Sequence, residues 1–201
     1  MQRSHWDGAY AQGDTTRSWY QEEADVSLDA FETSGVGPDD AVVDVGGGAS
    51  TLVDGLLERG FRDVTVLDLS ATALGIARRR LGDRAADVRW IVGDLLEWDP
   101  GRGHRVWHDR AVLHFLTEPE DRDAYRRVLD RATDAGSVAV LGVFGPGGPE
   151  YCSGLPVRRY SADDLTEFLG DAWEELSRAE RVHETPSGAT QQFTWGIFRR
   201  R

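Results

Sequence analysis

Five short β-branched runs, separated by stretches that suit helices, dominate this chain, and the alternation leaves few folds open. The runs are AVVDVG (41–46), VTVLDL (64–69), VRWIVGD (88–94), RVWHDRAV (105–112) and SVAVLGVFG (137–145). Runs of this kind are typical of strands buried on both faces. After the first run, residues 50–59 set Leu52, Val53, Leu56 and Leu57 on one helical face, and Gly60 closes the segment. Ser70 suits the N-cap of a helix ending near Leu81. A shorter helical piece is expected between the third and fourth runs. Pro119–Ala132 spaces Tyr125, Val128 and Leu129 for one face, and Ser161–Leu169 opens with a Ser161–Asp164 capping box. Residues 173–182 and 191–199 are two more strand candidates, joined by the turn-rich TPSGAT with no helix between them. Two such strands pair as an antiparallel hairpin. The predicted fold is therefore α/β: a doubly wound, mostly parallel seven-stranded Rossmann-like sheet with a terminal antiparallel hairpin.

A chain of 201 residues suits one domain, expected to span 1–201. Its N-terminal part, 1–37, is polar with spaced aromatics at Trp6, Tyr10, Trp19, Tyr20 and Phe31. This part reads as a lid segment, helical over 18–34 and broken by Gly35, Gly37 and Pro38. The Gly/Pro-rich stretch 145–160 follows the fifth run and is expected to lack regular structure, as a substrate-side loop would. A net charge of −12 repels phosphate backbones and anionic lipid, so nucleic acid and membrane are not expected partners. The run Arg78–Arg80 reads as a solvated helix face. No apolar run or N-terminal h-region speaks for a membrane span or signal peptide, so the expected location is cytoplasmic. Cys152 is the single cysteine, and no His/Cys/Asp/Glu set has metal-ligand spacing.

The densest chemical signal is VVDVGGGAS, 42–50. Gly46, Gly47 and Gly48 let the backbone turn sharply at the end of the first strand and approach a ligand closely. The helix that follows points its free N–H groups at that turn. A dinucleotide fingerprint would need a third glycine at position 51, where this chain has Thr51. Asp68 ends the second strand, 24 residues after Asp44, where a carboxylate can accept from both hydroxyls of a ribose. Asp94 ends the third strand, placed to accept from an adenine amino group while Leu95 covers the ring. All these positions lie at carboxyl ends of parallel strands, where ligands bind in open α/β sheets.

VVDVGGGAS, VLDLS, VGDLLEW and RVWHDRAVLHFL together resemble, in order and spacing, the motifs of class I S-adenosylmethionine-dependent methyltransferases. The likeness is nearest a bacterial thiopurine, tellurite and thiol methyltransferase-like group, to which HWDGAY…SWYQ and YCSGLPVRRYS add. It implies S-adenosyl-L-methionine as cofactor, with contacts from Asp44, Gly46, Gly47, Gly48, Asp68, Leu69, Asp94 and Leu95. It further implies that Trp19 or Tyr20 folds over the cofactor and that Arg110 lines its methionine end. Ser50 stands where the family usually has a third glycine. The Asn/Asp-Pro-Pro-Tyr motif of nucleic-acid and glutamine N-methyltransferases is missing after the fourth strand.

Methyl transfer from a sulfonium is an in-line displacement, and positioning alone contributes roughly 7–11 kcal/mol. A base is needed only where the acceptor must lose a proton. His114 and Asp109 are the candidates after and within the fourth strand, with His108 read as inward packing. The expected reaction is methylation of a small-molecule acceptor at S, N or O. The rival readings are a protein-lysine or other macromolecular methyltransferase, a nucleotide-binding oxidoreductase, and a cofactor-binding protein without catalysis. Oligomeric state is left open.

Overall fold

The computed structural model describes residues 3–201; residues 1 and 2 of the expected lid segment lie outside them. In chain order the elements are α1 (Arg3–Ala11), α2 (Asp25–Ser34), β1 (Val42–Val45), α3 (Leu52–Glu58), β2 (Val64–Asp68), α4 (Ala71–Leu81), β3 (Val88–Val92), β4 (Val106–Arg110), α5 (Pro119–Ala132) and β5 (Val138–Phe144). A two-residue ribbon follows, β6 (Tyr151–Cys152) with β7 (Leu155–Pro156), then α6 (Ala162–Leu169), β8 (Trp173–Glu184) and β9 (Thr190–Arg200). Seven strands form one sheet in the order β3-β2-β1-β4-β5-β9-β8. β3, β2, β1, β4 and β5 are parallel, and β9 pairs antiparallel with both β5 and β8. The expected sheet and its terminal hairpin are both present.

Because β1, β4 and β5 are covered on both faces, alternate residues feed cores on opposite sides of the sheet, with Val138 and Val140 of β5 joining a third cluster around Phe193, Trp195 and Ile197. Val43, Val45, Trp107, Ala139 and Leu141 pack with Tyr125, Val128 and Leu129 of α5 and Leu165 and Leu169 of α6. Val42, Val64, Val66 and Val106 pack with Leu28 and Phe31 of α2, Leu52 and Leu56 of α3 and Leu74 of α4. The strand order reverses between β1 and β4, which opens a crevice at their carboxyl ends.

The capping expectations hold locally. Ser70 Oγ accepts from the Ala73 N–H, and Ser161 and Asp164 form a reciprocal capping box on α6. Three expectations fail. The helix expected over 18–34 begins only at Asp25, because Trp19 and Tyr20 are drawn into the crevice, while an unexpected helix, α1, forms upstream. The helix between β3 and β4 shrinks to one turn, Leu95–Glu97. The 145–160 stretch is not structureless, since Tyr151 and Cys152 pair with Pro156 and Leu155 around Ser153 and Gly154.

Candidate functional site

The crevice is a cleft of about 1160 Å³ including its open mouth, ample for an adenosyl cofactor and a compact acceptor. Its floor is the glycine turn. Gly46 (φ +67°) and Gly48 (φ +53°) are left-handed, and the Gly46 N–H donates to the Leu67 carbonyl at 2.7 Å. A Cβ on Gly46 would collide with Val112 Cγ2, and one on Gly47 would collide with Asp44 Oδ2. The turn therefore has space for hydrogens only. Arg80, the last of the Arg78–Arg80 run, locks its far end by donating to the carbonyls of Ala49 (2.8 Å) and Ser50 (2.7 Å) and to Asp54. All three arginines of the run are exposed, as a solvated helix face requires, and Arg80 uses that exposed face to clamp the turn.

Asp68 stands beside the turn and accepts from the Ser70 N–H at 2.7 Å. Burial, with Asp44 and Asp7 close by, pushes its carboxyl up to about 7. Leu69, Gly93, Asp94 and Leu95 continue the wall, and Asp94 accepts from the Leu96 N–H at 3.0 Å. Across the cleft, Arg110 donates through Nη1 to the Trp19 carbonyl at 2.9 Å, while its Nη2 is buried without a partner among the described residues. Burial draws the guanidinium down to about 10.

The roof comes from the N-terminus. Trp6 meets Trp19 and Phe115 edge-on, with ring centroids 5.9 and 5.1 Å apart. The Tyr10 hydroxyl accepts from Trp19 Nε1 at 3.1 Å and is also engaged by the Ala49 N–H, directly over Gly48. α1 buries no residue fully, so polar contacts hold it. Asp7 Oδ1 accepts from Ser70 Oγ (2.6 Å) and the Thr72 N–H (3.2 Å), adding a carboxylate to the N-terminus of α4. His5 pairs with Ser153 of the ribbon at 3.1 Å.

Of the residues singled out in the sequence, Trp19, Tyr20, Asp44, Gly46, Gly47, Asp68, Leu69, Asp94, Leu95 and Arg110 all line this cleft. Gly48 lies beneath the Tyr10 hydroxyl instead. Asp109 and His114, the expected proton-handling pair, are not brought to the cleft. Asp109 faces the α5 side, where it accepts from Tyr125 (2.8 Å) and from the N–H groups of Val112 (2.8 Å) and Leu113 (3.1 Å). Those two backbone bonds tie down the entry to the turn Leu113–Phe115, which carries Phe115 into the cleft; Ala111, at φ +75°, supplies the bend. His114 is fully buried between Phe115 and Phe144, its Nδ1 accepting from the Phe144 N–H at 3.3 Å. Burial draws its pKa down to about 3. His108 instead borders the cleft, bonded to Asp44. Sequence reasoning missed Tyr10 and Phe115 as wall residues. The only hint of Tyr10 was its place in the aromatic-spaced N-terminus.

Residues 42–136 match the sequence pattern described as a methyltransferase domain. A solved structure concerned with the conversion of a disulfide bond into a thioacetal group during echinomycin biosynthesis is 25% identical, with 99% of this chain and 93% of that one covered and a TM-score of 0.76. An S-adenosylmethionine-dependent methyltransferase from Anabaena variabilis is 19% identical over 99% of this chain and 95% of its own (TM-score 0.75). The 1,6-didemethyltoxoflavin-N1-methyltransferase of Burkholderia thailandensis, bound to 1,6-didemethyltoxoflavin and S-adenosylhomocysteine, is 19% identical over 98% and 84% (TM-score 0.71). No curated protein sequence matches the chain. Residues 42–136 resemble a methyltransferase domain, and the chain as a whole shares the fold of solved S-adenosylmethionine-dependent methyltransferases.

Proposed function

We propose that the protein transfers a methyl group from S-adenosylmethionine to a small-molecule acceptor at sulfur, nitrogen or oxygen. The observation that carries this reading is a pairing across one cleft. A half-buried carboxylate beside a glycine turn (Asp68) shares the cleft with a buried guanidinium nitrogen that has no partner among the described residues (Arg110 Nη2). Asp68 suits the ribose hydroxyls, Asp94 and Leu95 suit the adenine, and Arg110 Nη2 suits the methionine carboxylate, while Gly46 and Gly47 let that end come close. When bound, the cofactor supplies an activated methyl group whose transfer needs an aligned nucleophile.

The acceptor space lies beyond β4, walled by Trp6, Trp19, Ala111, Phe115 and Cys152. These walls are apolar, so they favour a flat, largely uncharged acceptor and keep water from competing for the methyl group. Cys152 stays a thiol there, its pKa pushed up to about 11 by burial. With His114 held neutral outside the cleft and both ring nitrogens of His108 bonded to Asp44 and Ser27, positioning rather than a histidine base drives the transfer. Two structural neighbours work on compact chemistry, one on a disulfide bond in echinomycin biosynthesis and one on 1,6-didemethyltoxoflavin. The lid of aromatic residues supports kinship with the thiopurine, tellurite and thiol methyltransferase-like group, and its closure over the cleft disfavours a macromolecular acceptor. No helix among the described residues is long and apolar enough to cross a membrane, and we place the reaction in the cytoplasm.

Calorimetry with S-adenosylhomocysteine and NAD in parallel tests the reading. Saturable binding of S-adenosylhomocysteine alone is expected; binding of NAD alone would overturn it.

A further inference from the structure

We propose that His108 is a positioning residue, which holds the Asp44 carboxylate in the one orientation that receives the cofactor's α-ammonium group. The inference rests on the cofactor reading above but concerns residues that the reading leaves without a role.

Asp44 and His108 are direct neighbours across the parallel pairing of β1 with β4, and both are nearly sealed from solvent. His108 Nδ1 lies 2.7 Å from Asp44 Oδ1, and Nε2 lies 2.9 Å from Ser27 Oγ of α2. Phe31 and Trp195 flank the ring, with centroids 5.9 and 6.5 Å away. The imidazole therefore has no freedom to rotate: one nitrogen is fixed by the helix, the other by the carboxylate. With the Ser27 hydroxyl donating to Nε2, the ring proton sits on Nδ1 and is donated to Asp44. The second Asp44 oxygen, Oδ2, is turned toward the glycine turn, where only the missing side chain of Gly47 leaves it room.

A carboxylate so nearly sealed from solvent needs hydrogen-bond or ionic partners. His108 supplies one charge-assisted bond from behind. The front oxygen is left for a cation entering at the glycine turn. Arg110, on the same face of β4 two residues on, offers its unpartnered Nη2 for an anion. A carboxylate and a guanidinium so placed match the two charges of an amino-acid moiety, and the Ser27–His108 pair determines where the first of them points.

The test compares two ligands that differ in that moiety: S-adenosylhomocysteine, which has it, and 5′-methylthioadenosine, which lacks it. Binding to the full chain is measured by calorimetry. In His108→Phe, affinity for S-adenosylhomocysteine is expected to fall at least tenfold while that for 5′-methylthioadenosine stays within twofold. His108→Asn, which can still donate to Asp44, should recover part of the loss. Ser27→Ala should show the same selectivity at about threefold, and it carries the comparison if His108→Phe does not fold. Equal losses for both ligands would make the ring mere packing and overturn the inference, as would no loss for either. Wild-type protein that bound neither ligand would overturn the cofactor reading and this inference with it.

Discussion

Replacing Asp68 with asparagine should make the ligand-free protein more stable at pH 8 and at the same time cripple cofactor binding. Burial raises the carboxyl from 3.8 to about 7. The unfolded chain therefore loses this proton more readily than the folded one, and ionisation costs folding stability. The cost is small near pH 4, grows as pH rises, and levels off above about 7. The shift corresponds to about 4 kcal/mol, since each pH unit is worth about 1.36 kcal/mol. Asparagine carries no charge but keeps an oxygen for the Ser70 N–H, a weaker bond than the carboxylate makes. Allowing for that, the variant should gain about 2 kcal/mol at pH 8, or roughly 4–8 °C in Tm. The gain should shrink steadily toward pH 5. Binding moves the other way, because ribose hydroxyls donate to the ionised form. Wild-type affinity for S-adenosylhomocysteine should rise as pH passes through about 7. The asparagine side chain can accept only one of the two hydroxyl bonds, and losing a charge-assisted bond costs about 1.5–3 kcal/mol, or tenfold to a hundredfold in Kd. Thermal melts at pH 5 and 8 with and without S-adenosylhomocysteine read both effects. Parallel Tm–pH curves for wild type and Asp68→Asn, with equal ligand shifts, would refute the reasoning.

His114 should matter to acid stability rather than turnover. Its folded pKa is drawn down to about 3, so an unfolding chain gains a proton below about 6.5 and stability falls as pH drops from there toward 3. In urea titrations, His114→Phe should flatten that loss and leave the pH–rate profile without a limb near 6.5 to remove; a rate drop of about 10²-fold would restore a base role. Gly46→Ala should cost at least about 2 kcal/mol and abolish cofactor binding, because the residue is left-handed and its Cβ would strike Val112; denaturant midpoints and calorimetry check this. Asp7→Ala removes the clasp between α1 and α4, so S-adenosylhomocysteine should dissociate several-fold faster in stopped-flow tryptophan fluorescence, with the Tm of the sheet unchanged within about 2 °C.

The sheet and the strand ends are written in local patterns. Buried strands announce themselves by β-branched runs, a hairpin by two such runs with only a turn between them, and caps by Ser70 and by Ser161 with Asp164. Asp44, Asp68 and Asp94 are polar residues closing or following apolar runs, and in a parallel sheet those ends share one edge, so their convergence was legible. Side-chain direction within β4 was not. In a strand covered on both faces, neighbouring positions are equally apolar in their surroundings, and the pattern carries no parity signal. Asp109 and His108 look alike as strand-end polar residues. Only the docking of α5 sends Asp109 to Tyr125, and only the packing of α2 gives His108 its Ser27 partner. The roof is likewise a product of packing. α1 has no fully buried face to advertise in its periodicity, and it is held over the cleft by contacts far along the chain, Asp7 with Ser70 and His5 with Ser153. Arg80 belongs with these, a residue of a charged helix face that becomes a clamp on the glycine turn because α4 lies beside α3. Contacts between groups distant in sequence depend on how elements pack, which no local pattern records.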